Sequence, residues 1–124
     1  MTTHTQHDTT LIQIRVPTQE VMENIMGASW DTWSWWTEVT YADGCDWNKY
    51  PATVDAPYVT VSIQDPDMDD DTVTVTHATL TVRDIVQTLG ECLMDYPHIR
   101  WDDMDACSAD LVIQVAVLGE YTYG

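Results

Sequence analysis

Four of the six tryptophans in this 124-residue chain, Trp30, Trp33, Trp35 and Trp36, fall within seven residues, and the chain has no phenylalanine. An indole offers a flat π-face for stacking and a single N–H donor, and each one buried removes roughly 150–250 Å² from water. Rings packed this densely form either the centre of a core or the wall of a binding surface. The chemistry open to such a wall is stacking, with Trp35, Trp36 and Tyr41 as the rings expected to hold a flat guest such as a nucleobase. Isolated cations are the complementary half of that site. Lys49, the only lysine, and Arg100 are the candidates for meeting a phosphate, and Tyr121 and Tyr123 would complete the pocket. Sharing the pocket between subunits would ease the small size of the chain, so a homo-oligomer is expected. The alternative is that the same rings form plain core or a dimer interface.

Other reactive groups match no recognised arrangement. There is no phosphate-cradling glycine loop, no Gly-x-Ser-x-Gly turn and no His-Glu-x-x-His. Cys92, His98 and Cys107 have no usual zinc spacing. Asp65, Asp67, Asp69 and Asp71 alternate as in a calcium loop, but the glycine at its sixth position is missing and Thr76 stands where the twelfth-position acid belongs. Of the many carboxylates, nothing in the sequence selects an acid–base pair. No enzyme activity, cofactor or metal is expected. His77 continues the parity of Val73 and Val75 and is expected to point inward as a structural residue.

The formal charge is −17 and Asp outnumbers Glu about three to one. Acids recur along the whole chain, with denser runs at 65–71 and 102–105. That distribution fits a surface built to hold water and cations in molar salt, where a Debye length of about 3 Å suppresses self-repulsion. The competing explanation is a patch that imitates a nucleic-acid backbone and captures a basic host protein. Arg15, Lys49, Arg83 and Arg100 cannot form a continuous basic stripe, so direct nucleic-acid binding is excluded. Cys45, Cys92 and Cys107 are odd in number and widely spaced, which points to a reducing compartment. No apolar run approaches the ~18 residues of a membrane span, and the polar start lacks a signal-peptide pattern.

The elements that must position the rings follow from periodicity. Ile12, Ile14 and Val16 alternate with Gln13 and Arg15, which predicts a strand over 11–16 ended by Pro17. Thr18 is expected to cap a helix whose stripe is Val21, Met22, Ile25 and Met26, stopped by Gly27. A turn over 29–34 and a strand over 35–41 follow, then a loop over 42–56 whose Trp47, Lys49 and Tyr50 form a lid or cover the sheet edge. Strands over 58–63 and 72–76 flank an acidic hairpin. Thr81 and Asp84 open a helix faced by Val82, Ile85, Val86, Leu89 and Leu93, with Gly90 placed for close packing. Residues 106–118 are rich in β-branched side chains, yet the caps Asp105 and Ser108 and the terminator Gly119 favour a helix. A short extended tail over 120–124 ends the chain. The sum is an α+β domain over 11–124, a small antiparallel sheet of about four strands against two or three helices, with a flexible tail at 1–10.

The block Asp105-Ala106-Cys107-Ser108-Ala109-Asp110, an apolar run over 111–118, and Gly119-Glu120-Tyr121-Thr122-Tyr123-Gly124 resembles the C-terminus of an uncharacterised family of small proteins from tailed viruses and prophages. Those proteins end in Asp-Ala-x-x-Ala-Asp, an apolar run and Gly-Glu-x-x-Tyr-Gly. Their aromatic segment after a first helix is similar to residues 27–36, and their Leu-Thr helix start is similar to Leu80-Thr81. This chain has more tryptophan and a longer acidic hairpin. The resemblance implies a viral origin, and the charge implies a salt-loving prokaryotic host whose cytoplasm is the expected location. The expected function is an accessory binding protein that sequesters a small nucleotide-type signal of host defence in its aromatic pocket. The alternatives are the acidic decoy described above and a minor virion or assembly component.

Overall fold

The computed structural model describes residues 15–32, 35–66 and 73–120. The helical stripe forms α1, Thr18–Met26, and buries Val21, Met22, Ile25 and Met26 as its spacing requires. Pro17 occupies the N-cap and makes no side-chain cap, so Thr18 is the first helical residue and not the cap. Gly27 closes the helix with φ −81°, a conformation open to any residue. Its value lies in space instead. A Cβ there would sit 2.6 Å from the Glu23 carbonyl and 3.3 Å from the Trp47 ring. Glycine thus lets Trp47 approach the helix end.

A 3₁₀ turn, Trp30–Thr32, leads to β1, Glu38–Tyr41, which is shorter than the strand expected over 35–41. Strands β2, Pro57–Pro66, and β3, Val73–Thr81, run past their expected ends. The three form one antiparallel sheet in the order β1-β2-β3. Residues 11–14 of the fourth expected strand, the acidic hairpin tip and the C-terminal tyrosines lie outside the described residues, and Arg15 and Val16 belong to no strand.

Register corrects the expected facing of β3. Val59 pairs with Leu80 and Val61 with Ala78, so the inner face of β3 is Ala78 and Leu80. Val75 and His77 pair with Gln64 and Ser62 on the outer face, and Val75 is 49% exposed. His77 is exposed, with Nδ1 2.7 Å from Ser62 Oγ. Parity within one strand cannot say which face is inward; the pairing of Leu80 with the buried run of β2 does, because a one-residue slip would turn every side chain over.

The capping box of α2, Val82–Asp95, forms as expected: Thr81 Oγ1 accepts from the Asp84 amide and Asp84 accepts from the Thr81 amide. Its inner face is Val82, Ile85, Leu89 and Cys92, with Val86 and Leu93 half-buried. The segment over 106–118 resolves as a helix, α3, Ala106–Leu118. Asp105 caps it by accepting from the Ser108 amide, and Gly119 ends it at φ 83°. Every residue from Ser108 to Gln114 is buried, as befits a helix apolar on nearly all sides. It packs against α2, the 3₁₀ turn and β3, and is the centre of the fold. No helix among the described residues is long and apolar enough to cross a membrane.

Gly90 does not pack closely: a Cβ there meets nothing within 4 Å. Gly90→Ala is expected to raise the unfolding free energy by about 0.5–1 kcal/mol. Gly119→Ala, at a left-handed position, is expected to lower it by about 1 kcal/mol or more. Denaturant titration of both variants checks the pair.

Candidate functional site

The tryptophan segment is fastened to α3 by a buried carboxylate. Trp35 Nε1 donates to Asp110 Oδ1 at 2.6 Å, and Gln114 Nε2 donates to Asp110 Oδ2 at 2.7 Å. Burial pushes the Asp110 carboxyl above the usual carboxylate range, while these two donors hold it down. Trp30 is fully buried, its ring 6.3 Å from that of Trp36. The indole N–H groups of Trp30 and Trp36 are buried and have no partner among the described residues. Trp35 and Trp36 pack against the core. Trp33 lies outside the described residues. The densest part of the aromatic cluster is therefore largely committed to the protein's own interior.

A second aromatic group was not legible as a unit in the sequence. Tyr58 is the extra residue of a bulge in β2, where two steps, Pro57 to Val59, match one on β3. Tyr58 and Val59 are buried in succession. The Tyr58 ring meets Tyr41 at 5.6 Å and Tyr50 at 5.3 Å. Its hydroxyl donates to the Asp46 carbonyl at 2.7 Å, and the Tyr50 hydroxyl donates to the Trp47 carbonyl at 2.9 Å. These two bonds, with the Asp46–Lys49 bridge, hold the turn that presents Trp47.

Between that turn, the end of α1 and the 3₁₀ turn lies a hollow of about 270 Å³. Gly27, Ser29, Asp31, Tyr41, Asp46 and Trp47 line it, with Met26 beneath. Trp47 is 50% exposed and is the open ring of the site. Ser29 holds φ 63°, the one non-glycine positive φ among the described residues, and strain of that kind is found where a wall must be shaped. The Tyr41 hydroxyl is pushed up to about 12, first by burial and then by the negative charges of Asp31 and Asp46. A slightly larger hollow, about 300 Å³, lies by Met22, Tyr50, Val54 and Val82. Its lining carries no charged side chain, and it offers a guest less to orient on.

The seven residues expected to bind a ligand are thus divided, Tyr123 being among those outside the described residues. Tyr41 lines the hollow; Trp35 and Trp36 do not. Lys49 is exposed beside it, with Nζ 3.9 Å from Asp46 Oδ2. Arg100 pairs with Asp102 at 3.5 Å and lines none of these hollows. Tyr121 lies outside the described residues. Sequence reasoning missed Asp31, Asp46 and Ser29, and it placed Trp47 only as a lid or edge cover. The signal for Trp47 was there: an aromatic in a polar loop next to the only lysine. No family model, curated protein or solved structure matches this chain. What the site does must be read from its own residues.

Because burial raises the folded-state pKa of Asp110, the wild type gains stability on acidification between that raised value and the ordinary carboxylate range, and loses it as pH rises through the raised value. Asp110→Asn is expected to remove this contribution, so that the wild type's advantage in denaturant midpoint over the variant grows as pH falls through that window. Tyr58→Phe leaves the Asp46 carbonyl with the longer bond from the Lys49 amide alone and is expected to cost about 1 kcal/mol. The same variant should broaden the Trp47 indole signal in NMR as its turn loosens.

Proposed function

We propose that this chain is a small binding protein that captures a compact guest in the hollow between Tyr41 and Trp47. The observation that carries this is an open indole and a half-buried phenol facing one cavity, on a turn held from beneath by Tyr58 and Tyr50. A wall that is fixed before the guest arrives loses little conformational freedom on binding. Capture fits the lining: ring faces to pack on and carboxylates to orient by.

The setting we propose is that of an accessory protein of a tailed virus, acting in the cytoplasm of a salt-loving prokaryote. Support comes from the C-terminal block and from the acids. The exposed ones described lie on α1 and α2, on the 3₁₀ turn, on β1 and in the loops, from Glu20 to Glu120. A decoy imitating nucleic acid needs its charges gathered on one face, and this spread favours salt adaptation instead. A nucleotide-type defence signal, the guest expected from the sequence, is the form of capture that the Asp31 and Asp46 lining favours least. It requires a cation at the phosphate, and the nearest one, Lys49, already lies beside Asp46.

Melting temperature in high salt is the measurement. A panel of cyclic and linear nucleotides, neutral aromatics and organic amines is expected to contain a guest that raises it. At a hundredfold excess over Kd the gain is about 2.7 kcal/mol. Trp47→Ala should lose the shift while keeping the unliganded melting temperature. A panel in which nothing shifts the wild type would remove the binding-protein proposal.

A further inference from the structure

The charge on the hollow selects the kind of guest. Its two carboxylates come from separate elements, Asp31 from the 3₁₀ turn and Asp46 from the loop after β1. Asp46 shares its charge: Oδ1 accepts from the Asn48 amide at 2.9 Å, and Lys49 lies at 3.9 Å on an exposed side chain. Asp31 has no ion-pair partner among the described residues. Two negative charges beside two aromatic rings and the Met26 side chain are the reverse of a phosphate site. A bare metal ion fits no better. Hard cations take about six to eight oxygens, and among the described residues no three His, Cys, Asp or Glu side chains converge. A bulky organic cation matches both halves of the lining. Its charge is spread over alkyl groups that pack on the negative faces of aromatic rings, and the carboxylates supply the counter-charge.

We propose that the hollow between Tyr41 and Trp47 binds an alkylated ammonium group, with the two rings as walls and Asp31 and Asp46 as counter-charges. This rests on the hollow being the binding site and adds the sign and shape of the guest. A free quaternary ammonium solute and the side chain of a methylated lysine on another protein share this chemistry, and the hollow has room for either headgroup.

Calorimetric titration in about 1 M salt, where a Debye length of about 3 Å screens the bulk charge of the chain, separates the site from diffuse attraction. The probes are choline, its uncharged isostere dimethylbutanol, a trimethyllysine peptide with its unmodified control, and adenosine monophosphate. Choline is expected to bind roughly tenfold more tightly than its isostere. Asp31→Asn, at an exposed position, is expected to weaken choline about fivefold. Trp47→Ala is expected to abolish binding. Melting curves of both variants verify that the fold is kept. A trimethyllysine peptide that outbinds choline while its unmodified control does not assigns the guest to a methylated protein; choline outbinding the peptide assigns it to a free solute. Equal binding of choline and isostere, or preference for the nucleotide, overturns the cationic guest and leaves the hollow standing as the site. Failure of every probe overturns the cationic guest, and a melting-temperature panel that also shows no shift overturns the hollow as the site.

Discussion

The bond from Trp35 to Asp110 spans 75 residues of chain and joins the aromatic segment to the central helix. A carboxylate in the middle of a buried helix is costly unless its oxygens are satisfied, and here each oxygen accepts from one donor, Trp35 on one side and Gln114 on the other. Removing either donor would leave a buried acceptor short of a partner. That asymmetry makes the carboxylate a clamp: Trp35 has one favourable way to lie on α3. Trp30 then fills the core, and Asp31, next in sequence, is carried to the rim of the hollow.

The other side of the hollow is set by a different device. The bulge at Tyr58 turns a phenol off the regular alternation of β2 and buries it beneath Tyr41 and Tyr50. Its hydroxyl reaches the backbone of Asp46, so the loop after β1 is fixed by a main-chain contact and its side chains stay available. Gly27 completes the fit by leaving out the one carbon that would crowd the Trp47 ring. The hollow is therefore bounded by two parts that are anchored independently, one through α3 and one through the sheet.

Local patterns made the helices legible. The stripe of α1, the Thr81–Asp84 box of α2 and the Asp105 and Gly119 boundaries of α3 are each written within a few residues. What depended on distant partners was not legible. Val75 and His77 read as inward because alternation alone has no sign, and Leu80 opposite Val59 supplies it. Trp35 and Trp36 read equally as core or as stacking rings because nothing nearby announces the acceptor that holds Trp35. Tyr58 read as the first residue of an ordinary strand, since a bulge is a property of two strands together. Asp31 and Asp46 were two acids among many until the fold placed them on one cavity.

The most distinctive positions of the C-terminal block over 105–119 have structural roles here. Asp105 caps α3, Asp110 is the clamp, Ala109 is fully buried, and Gly119 adopts the left-handed conformation that ends the helix. A chain that shares this block would share a central helix and the means of fastening an indole to it. It need not share a guest, because Tyr41, Asp46 and Trp47 lie on β1 and the loop beyond, far in sequence from the block. The helix can stay constant while the loop over 42–56 changes, since a few hydrogen bonds and one ion pair, Arg83 to Asp55, tie that loop down and exposed ion pairs contribute little. Under the proposed capture, specificity would reside in that loop, and the residues most easily recognised in the sequence bear on the fold alone.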